Sequence, residues 1–148
     1  MPEAEIVVVD ASVLVELVVD GRHRGGADLL LSRYAATPPL TLVSAAHAIV
    51  ESVSALRRLS RHGDVSTADG EAAVAWLAEL DIVLDAPARR SRRIWQLRHA
   101  MTAYDAAYAA VAESLATPLV TVDARLCRAC AEVGIDAVDL DDFSPPAR

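Results

Sequence analysis

Short apolar runs alternate with longer amphipathic stretches along most of this chain. The runs at residues 6–9, 40–43, 82–84, 119–122 and 137–140 are too short for helices and rich in Val, Ile and Leu, a pattern that predicts five buried strands. Between them, apolar positions recur at helical spacing over residues 12–19, 27–35, 44–62, 66–80, 102–115 and 124–133, with a further basic helix beginning near Pro87. Asp20 to Gly26 reads as a loop, Thr37-Pro38-Pro39 ends the second helix, Ser44 is expected to cap the long third one, and Gly134 stops the last. In the long helix Ile49, Val53 and Leu56 form the expected core stripe. Glu51 then faces away from that stripe, among His47, Ala48, Ser54, Ala55 and Arg58. Strands separated by helices imply an α/β fold, a parallel sheet covered on both faces. The stretch from Asp139 to Asp142 and the Ser-Pro-Pro-Ala-Arg end read as a polar tail.

Composition adds exclusions. With 148 residues, 53% of them hydrophobic, and no Pro/Gly/Ser-rich seam, residues 1–148 are expected to form one domain, with about 143–148 a short tail. No apolar run is long enough to span a membrane, and the start Met-Pro-Glu-Ala-Glu lacks the basic region of a secretory signal, so a cytoplasmic protein is expected. A net charge of −7, from 21 acids against 14 bases, argues against coating nucleic acid by bulk electrostatics. All 14 bases are Arg. The absence of Lys removes the Walker A phosphate loop and Schiff-base catalysis, and no G-x-G-x-x-G supports a dinucleotide site. Cys127 and Cys130 form a C-x-x-C without a second ligand pair, and are read as two small helical residues.

The chemistry lies in the acids. Asp10 closes the first strand and Asp123 the fourth, where ligands of open α/β sheets bind. Asp105 opens the helix capped by Thr102, and Glu51 has alanines beside it on its helix face rather than ion-pair partners. Singly these are N-caps or solvated positions; jointly they are carboxylates converging on one pocket, where mutual repulsion calls for a cation. An all-oxygen donor set suits Mg²⁺ or Mn²⁺. Ser12 and Thr121, each two residues from a strand-end aspartate, supply hydroxyls that can orient a carboxylate or simply cap backbone. His47 receives no role, Tyr104 and Tyr108 are base stackers or core, and Asp81, Asp85, Asp141 and Asp142 read as solvated. Arginines in the first loop, after Glu51 and on the basic helix can ring the acidic hole and grip phosphates, with Arg57, Arg58 and Arg93 the candidate substrate contacts.

Val-Val-Asp10-Ala-Ser12-Val-Leu, Glu51 with Leu56-Arg57-Arg58, Tyr104-Asp105-Ala-Ala-Tyr108 and Thr121-Val-Asp123-Ala-Arg-Leu126, in that order, resemble the PIN-domain ribonucleases, and among them the VapC-like toxins of type II toxin–antitoxin pairs. Glu16 departs from the pattern, where relatives often carry a basic or neutral residue. The resemblance implies a three-layer α/β/α sandwich with a central, mostly parallel sheet. It implies a Mg²⁺- or Mn²⁺-dependent endoribonuclease in which one or two ions on Asp10, Glu51, Asp105 and Asp123 activate water for in-line attack. It further implies an RNA substrate, a VapB-like antitoxin seated in apolar grooves built by the first helices and the long helix, and a homodimer. Two other readings stay open: a metal-dependent phosphatase or DNA nuclease, and a non-catalytic module whose acidic pocket receives a partner's arginine.

Overall fold

The computed structural model describes residues 5–144. Five strands, β1 (Ile6–Val9), β2 (Thr41–Ala45), β3 (Ile82–Asp85), β4 (Leu119–Thr121) and β5 (Ala137–Asp139), form one sheet in the order β3-β2-β1-β4-β5. Every pairing is parallel. Val7, Val8 and Val9 of the central strand are at most 1% exposed, as expected for a strand covered on both faces.

The helices are α1 (Ala11–Val18), α2 (Arg24–Tyr34), α3 (Ala48–His62), α4 (Thr67–Glu79), α5 (Ser91–Gln96), α6 (Ala103–Ser114) and α7 (Ala124–Glu132). From β1 the chain steps outward to β2 and β3, then crosses back to β4 and β5 on the other side of β1. Right-handed crossovers therefore place α1 to α4 on one face of the sheet and α5 to α7 on the other, which gives the three-layer sandwich. Packing follows this division: α1 lies against α2, α3 and α4, while α6 lies across β1 and β2. The reversal of direction falls between β1 and β4. Their carboxyl ends form the switch-point crevice of a doubly wound sheet.

Several local expectations change. Ser44 does not cap α3; it is a fully buried residue of β2 whose Oγ donates to the Val9 carbonyl at 2.5 Å, and α3 starts at Ala48 instead. The buried stripe of α3 is Ala48, Ser52 and Leu56, whereas Val53 is 38% exposed and Ile49 is only partly buried. Two of these three are small residues, which let α3 pack on α1 without large side chains holding the axes apart. The basic segment opens as a 3-10 turn, Pro87–Arg90, before α5. Asp85 is paired with Arg90 at 3.1 Å rather than solvated. The stretch from Asp139 is not a tail either: β5 runs into a 3-10 turn, Leu140–Asp142, with Leu140 buried and Phe143 packed on the core. Residues 1–4 and 145–148, with the start and most of the expected tail, lie outside the described residues.

The loop expected up to Gly26 is shorter, since α2 already begins at Arg24. Packing decides this. A Cβ on Gly26 would lie 2.6 Å from the Leu140 carbonyl oxygen and 2.9 Å from its Cγ, so only glycine lets α2 rest on the C-terminal turn. Gly25, one residue earlier, has nothing within 4 Å of such a Cβ. Gly26→Ala should therefore destabilise the fold by about 1–3 kcal/mol, as overpacking against backbone does. Gly25→Ala should leave stability unchanged or raise it by up to about 1 kcal/mol through helix propensity. Urea unfolding of the two variants side by side makes the comparison, and equal losses would refute the packing account.

A candidate acidic metal centre at the switch point

Asp10 sits where β1 ends and serves as the N-cap of α1. Its Oδ1 accepts from the Val13 backbone N–H at 3.2 Å and from Ser12 Oγ at 2.5 Å, and its Oδ2 accepts from Thr121 Oγ1 at 2.6 Å. The two hydroxyl oxygens lie 3.2 Å apart. They also tie down the β4 end: Val122 N–H donates to Ser12 Oγ at 3.1 Å and Asp123 N–H to Thr121 Oγ1 at 3.0 Å. Orientation of the carboxylate and backbone capping, alternatives at the level of sequence, are thus performed by the same atoms. Asp10 is 5% exposed. Burial pushes its carboxyl up to about 6; the hydrogen bonds from Ser12, Thr121 and Val13 oppose that rise, and the nearby Asp123 charge adds to it.

The other three acids reach the same crevice from three elements. Asp123 N-caps α7 through Oδ1, which accepts from Arg125 N–H at 2.8 Å and Leu126 N–H at 3.3 Å. Asp105 stands in the first turn of α6, its backbone N–H held by Thr102 Oγ1 at 3.2 Å. The Arg125 guanidinium lies 3.6 Å from Asp123 Oδ2 and 4.0 Å from Asp105 Oδ2. Glu51, in the first turn of α3, accepts a hydrogen bond from the Tyr108 hydroxyl at 3.2 Å. His47 Nε2 is 3.0 Å from the same Glu51 oxygen, close enough for an ion pair but not aligned as a hydrogen bond, so it stays buried without a hydrogen-bond partner. Burial first, then the Glu51 and Asp10 charges, push the Tyr108 phenol far up, which fixes it as a donor.

All four acids line one cleft of about 1550 Å³ that runs on between α1, α2, α3 and α4. Glu16 lines it too, with Oε2 buried and unpartnered. Of the candidate arginines, Arg58 lines the cleft, Arg57 is exposed outside its lining, and Arg93 is engaged with Glu113 through two 2.8 Å hydrogen bonds. Among the described residues no three of the four acids bring ligand oxygens within 4.8 Å of one another; the group that does is His23, Asp139 and Asp141, elsewhere, where His23 Nδ1 meets Asp141 at 2.7 Å.

Residues 7–132 match the family model described as PIN domain. This chain belongs to the PIN-domain family. It is 35% identical over 122 residues to VapC ribonuclease Mb0985 of Mycobacterium bovis, covering 82% of this chain and 88% of that protein. It is 33% identical over 125 residues to ribonuclease VapC3 of Mycobacterium tuberculosis, covering 84% and 88%. Among solved structures, PAE2754 from Pyrobaculum aerophilum superposes with a TM-score of 0.65 at 26% identity, covering 93% of this chain and 90% of that one.

The acids of this PIN domain fit a hard divalent cation by donor chemistry. Glu51 Oε2 and both Asp105 carboxylate oxygens carry no hydrogen bond, and Asp123 Oδ2 has only the Arg125 guanidinium, on a side chain 73% exposed, beside it. Such oxygens are unspent, negatively charged and face one space, as Mg²⁺ or Mn²⁺ requires. Sequence reasoning left out Arg125, which partly compensates the acids, and Tyr108 and His47 as partners of Glu51. Arg125 had a signal, an Arg two residues past a strand-end Asp, and so did His47, one helical turn before Glu51; the Tyr108 contact joins helices far apart in sequence and had none.

The raised Asp10 carboxyl has a pH signature. The folded protein holds this proton more tightly than the unfolded chain, whose value is 3.8, so Asp10 costs stability as pH rises from about 4 through about 6. In EDTA, the stability of wild type relative to Asp10→Asn should fall by on the order of 2–3 kcal/mol between pH 4 and pH 7. Urea unfolding at several pH values reads this difference; a flat difference would show that the carboxylate is not desolvated.

Proposed function

We propose that this chain is a divalent-cation-dependent endoribonuclease, the toxin of a toxin–antitoxin pair, with Asp10, Glu51, Asp105 and Asp123 holding one or two Mg²⁺ or Mn²⁺ ions. The observation that carries the reading is that these carboxylates, with oxygens of Glu51, Asp105 and Asp123 still free, line one crevice of a PIN domain whose relatives are ribonucleases. When bound, such a cation supplies Lewis-acid activation of the scissile phosphate and lowers the pKa of water. The residues supply the rest. Asp10, immobilised through both oxygens, is the rigid anchor, and Asp105 and Asp123 approach it from α6 and α7. Arg58 and Arg125, both in the cleft lining, can pair phosphate oxygens. Covalent catalysis finds no support: the Ser12 and Thr121 hydroxyls are spent on Asp10, and burial pushes the Cys130 thiol up to about 11.

The partners follow from the same reading. Beyond the acids the cleft has an apolar wall including Leu31, Leu59, Val65 and Trp76, suited to an amphipathic segment of a VapB-like antitoxin. A homodimer would cover exposed apolar side chains such as Val50, Val83 and Trp95. No helix among the described residues is long and apolar enough to cross a membrane, in keeping with action in the cytoplasm. The packing of residues 5–144 around one sheet and one core supports treating the chain as one PIN-like domain. One observation favours the non-catalytic alternative: Arg125 already places a guanidinium between two of the acids, as an arginine from a partner would.

Structured RNAs incubated with the metal-stripped protein should be cut on addition of Mg²⁺ or Mn²⁺ and left intact in EDTA. Asp10→Asn and Asp105→Asn should each lower the rate at least about 100-fold. The products should carry 5′-phosphates, and single-stranded DNA in a parallel reaction should survive. Folded, inhibitor-free wild type that is as inert as the variants with every ion would remove the nuclease reading and leave the partner-binding pocket.

A further inference from the structure

Glu51 differs from the other acids in how it is held. The carboxylates of Asp10 and Asp123 are fixed by the helix caps they form, and Asp105, with a short side chain, has its backbone held in the first turn of α6. Glu51 sits on α3 with a long side chain, 40% exposed, that has many rotamers available. In the structure one hydrogen bond orders it, from the Tyr108 hydroxyl to Oε1. Tyr108 is itself 1% exposed and lies one turn after Asp105 on α6, so that both side chains rise from the same helix face. His47, whose ring centroid is 4.6 Å from that of Tyr108, closes the other side of Oε1. Oε2 is left without a hydrogen bond, on a residue that lines the cleft.

We propose that Tyr108 is the positioning residue of this site: its hydroxyl links α6 to α3, holds Glu51 by Oε1, and so presents Oε2 at a fixed place relative to Asp10 and Asp105. The inference rests on the metal reading above and adds to it a buried phenol that touches neither ion nor substrate. Such outer partners of ligand carboxylates contribute about 10- to 100-fold to metal affinity. The effect passes through one oxygen of one residue, so it disappears when Glu51 is absent. A structural role in the core would not have that dependence.

Mn²⁺ binding to metal-stripped protein, followed by titration calorimetry, tests this without any RNA. Tyr108→Phe keeps the ring, and its affinity should fall about 10-fold. Glu51→Gln should fall too, and the double variant should bind no more weakly than Glu51→Gln alone, the non-additivity expected of coupled groups. In cleavage assays Tyr108→Phe should need more Mn²⁺ and recover at saturation with KM for RNA unchanged. A second readout keeps the Tyr108 hydroxyl: with 3-fluorotyrosine incorporated, the Tyr108 resonance should shift on Mg²⁺ addition in wild type and not in Glu51→Gln, so the test survives a Tyr108→Phe variant that folds poorly. Affinity within about twofold of wild type, additive losses, or a Mg²⁺ shift that persists in Glu51→Gln would each overturn the role of Tyr108 while leaving the metal site standing. Wild type that binds no Mn²⁺ in a manner removed by Asp105→Asn would overturn the metal reading and this inference together.

Discussion

The site depends on a carboxylate buried at the end of the central strand. Asp10 is almost wholly removed from water, and three hydrogen bonds, two of them from hydroxyls, offset only part of the desolvation. Those hydroxyls belong to different strand ends, so the cost of burying one charge is also what ties the β1 turn to the β4 turn. The crevice opened there by the reversal of strand order receives Asp123 as a direct consequence, since its backbone N–H is held by the Thr121 hydroxyl that also serves Asp10. A conventional core would have placed an apolar residue at position 10. A charge kept there, incompletely compensated, is stored electrostatic strain, relieved by protonation or by a cation.

Charge elsewhere is arranged so that this strain is not relieved internally. Several arginines are committed at a distance from the acids: Arg24 to Asp20 and Asp28, Arg33 to Glu5, Arg90 to Asp85, Arg93 to Glu113. Only Arg125 reaches into the acidic group, loosely and from a solvent-exposed side chain. In water an exposed contact at such distances is weak and easily exchanged. The crevice therefore remains open to an external cation, and to the guanidinium of a partner, without dismantling a strong internal pair. On the proposed function, a bound cation and a partner's guanidinium would compete for one electrostatic deficit.

Much of this was legible in the chain. Five short apolar runs between amphipathic stretches specified the parallel sheet, and the strand-end positions of Asp10 and Asp123 located the crevice before any coordinates. What was not legible arose from contacts between segments far apart in sequence. Ser44 has the local signature of an N-cap, yet it lies in β2 because a carbonyl of the neighbouring strand accepts its hydroxyl. Gly25-Gly26 has the signature of a loop, but α2 includes both, because the backbone of Leu140 comes so close that a side chain would be excluded. The acidic stretch at 139–142 looks solvated until His23, over a hundred positions earlier, meets Asp141. Local propensity loses in each case to one tertiary contact, and periodicity, which reports which face is buried but not against what, cannot foresee it.

The capping and functional readings of the acids turn out not to compete. Asp10 and Asp123 cap helices, and Asp105 stands in a capped first turn, because the carboxyl ends of parallel strands are followed by helix N-termini; the geometry that caps a helix also aims a carboxylate into the crevice. A cap uses one oxygen of a carboxylate, and in Asp123 the second is left over. Glu51 reaches the same condition by another route, with one oxygen held from outside the helix and the other free. Asp123 and Glu51 are thus each divided between a structural and a chemical task, whereas Asp10 accepts hydrogen bonds at both oxygens and Asp105 at neither. A domain of this size can carry such a cluster of acids because three of the four carboxylates are anchored by hydrogen bonds within the fold, which offset part of the cost of gathering like charges.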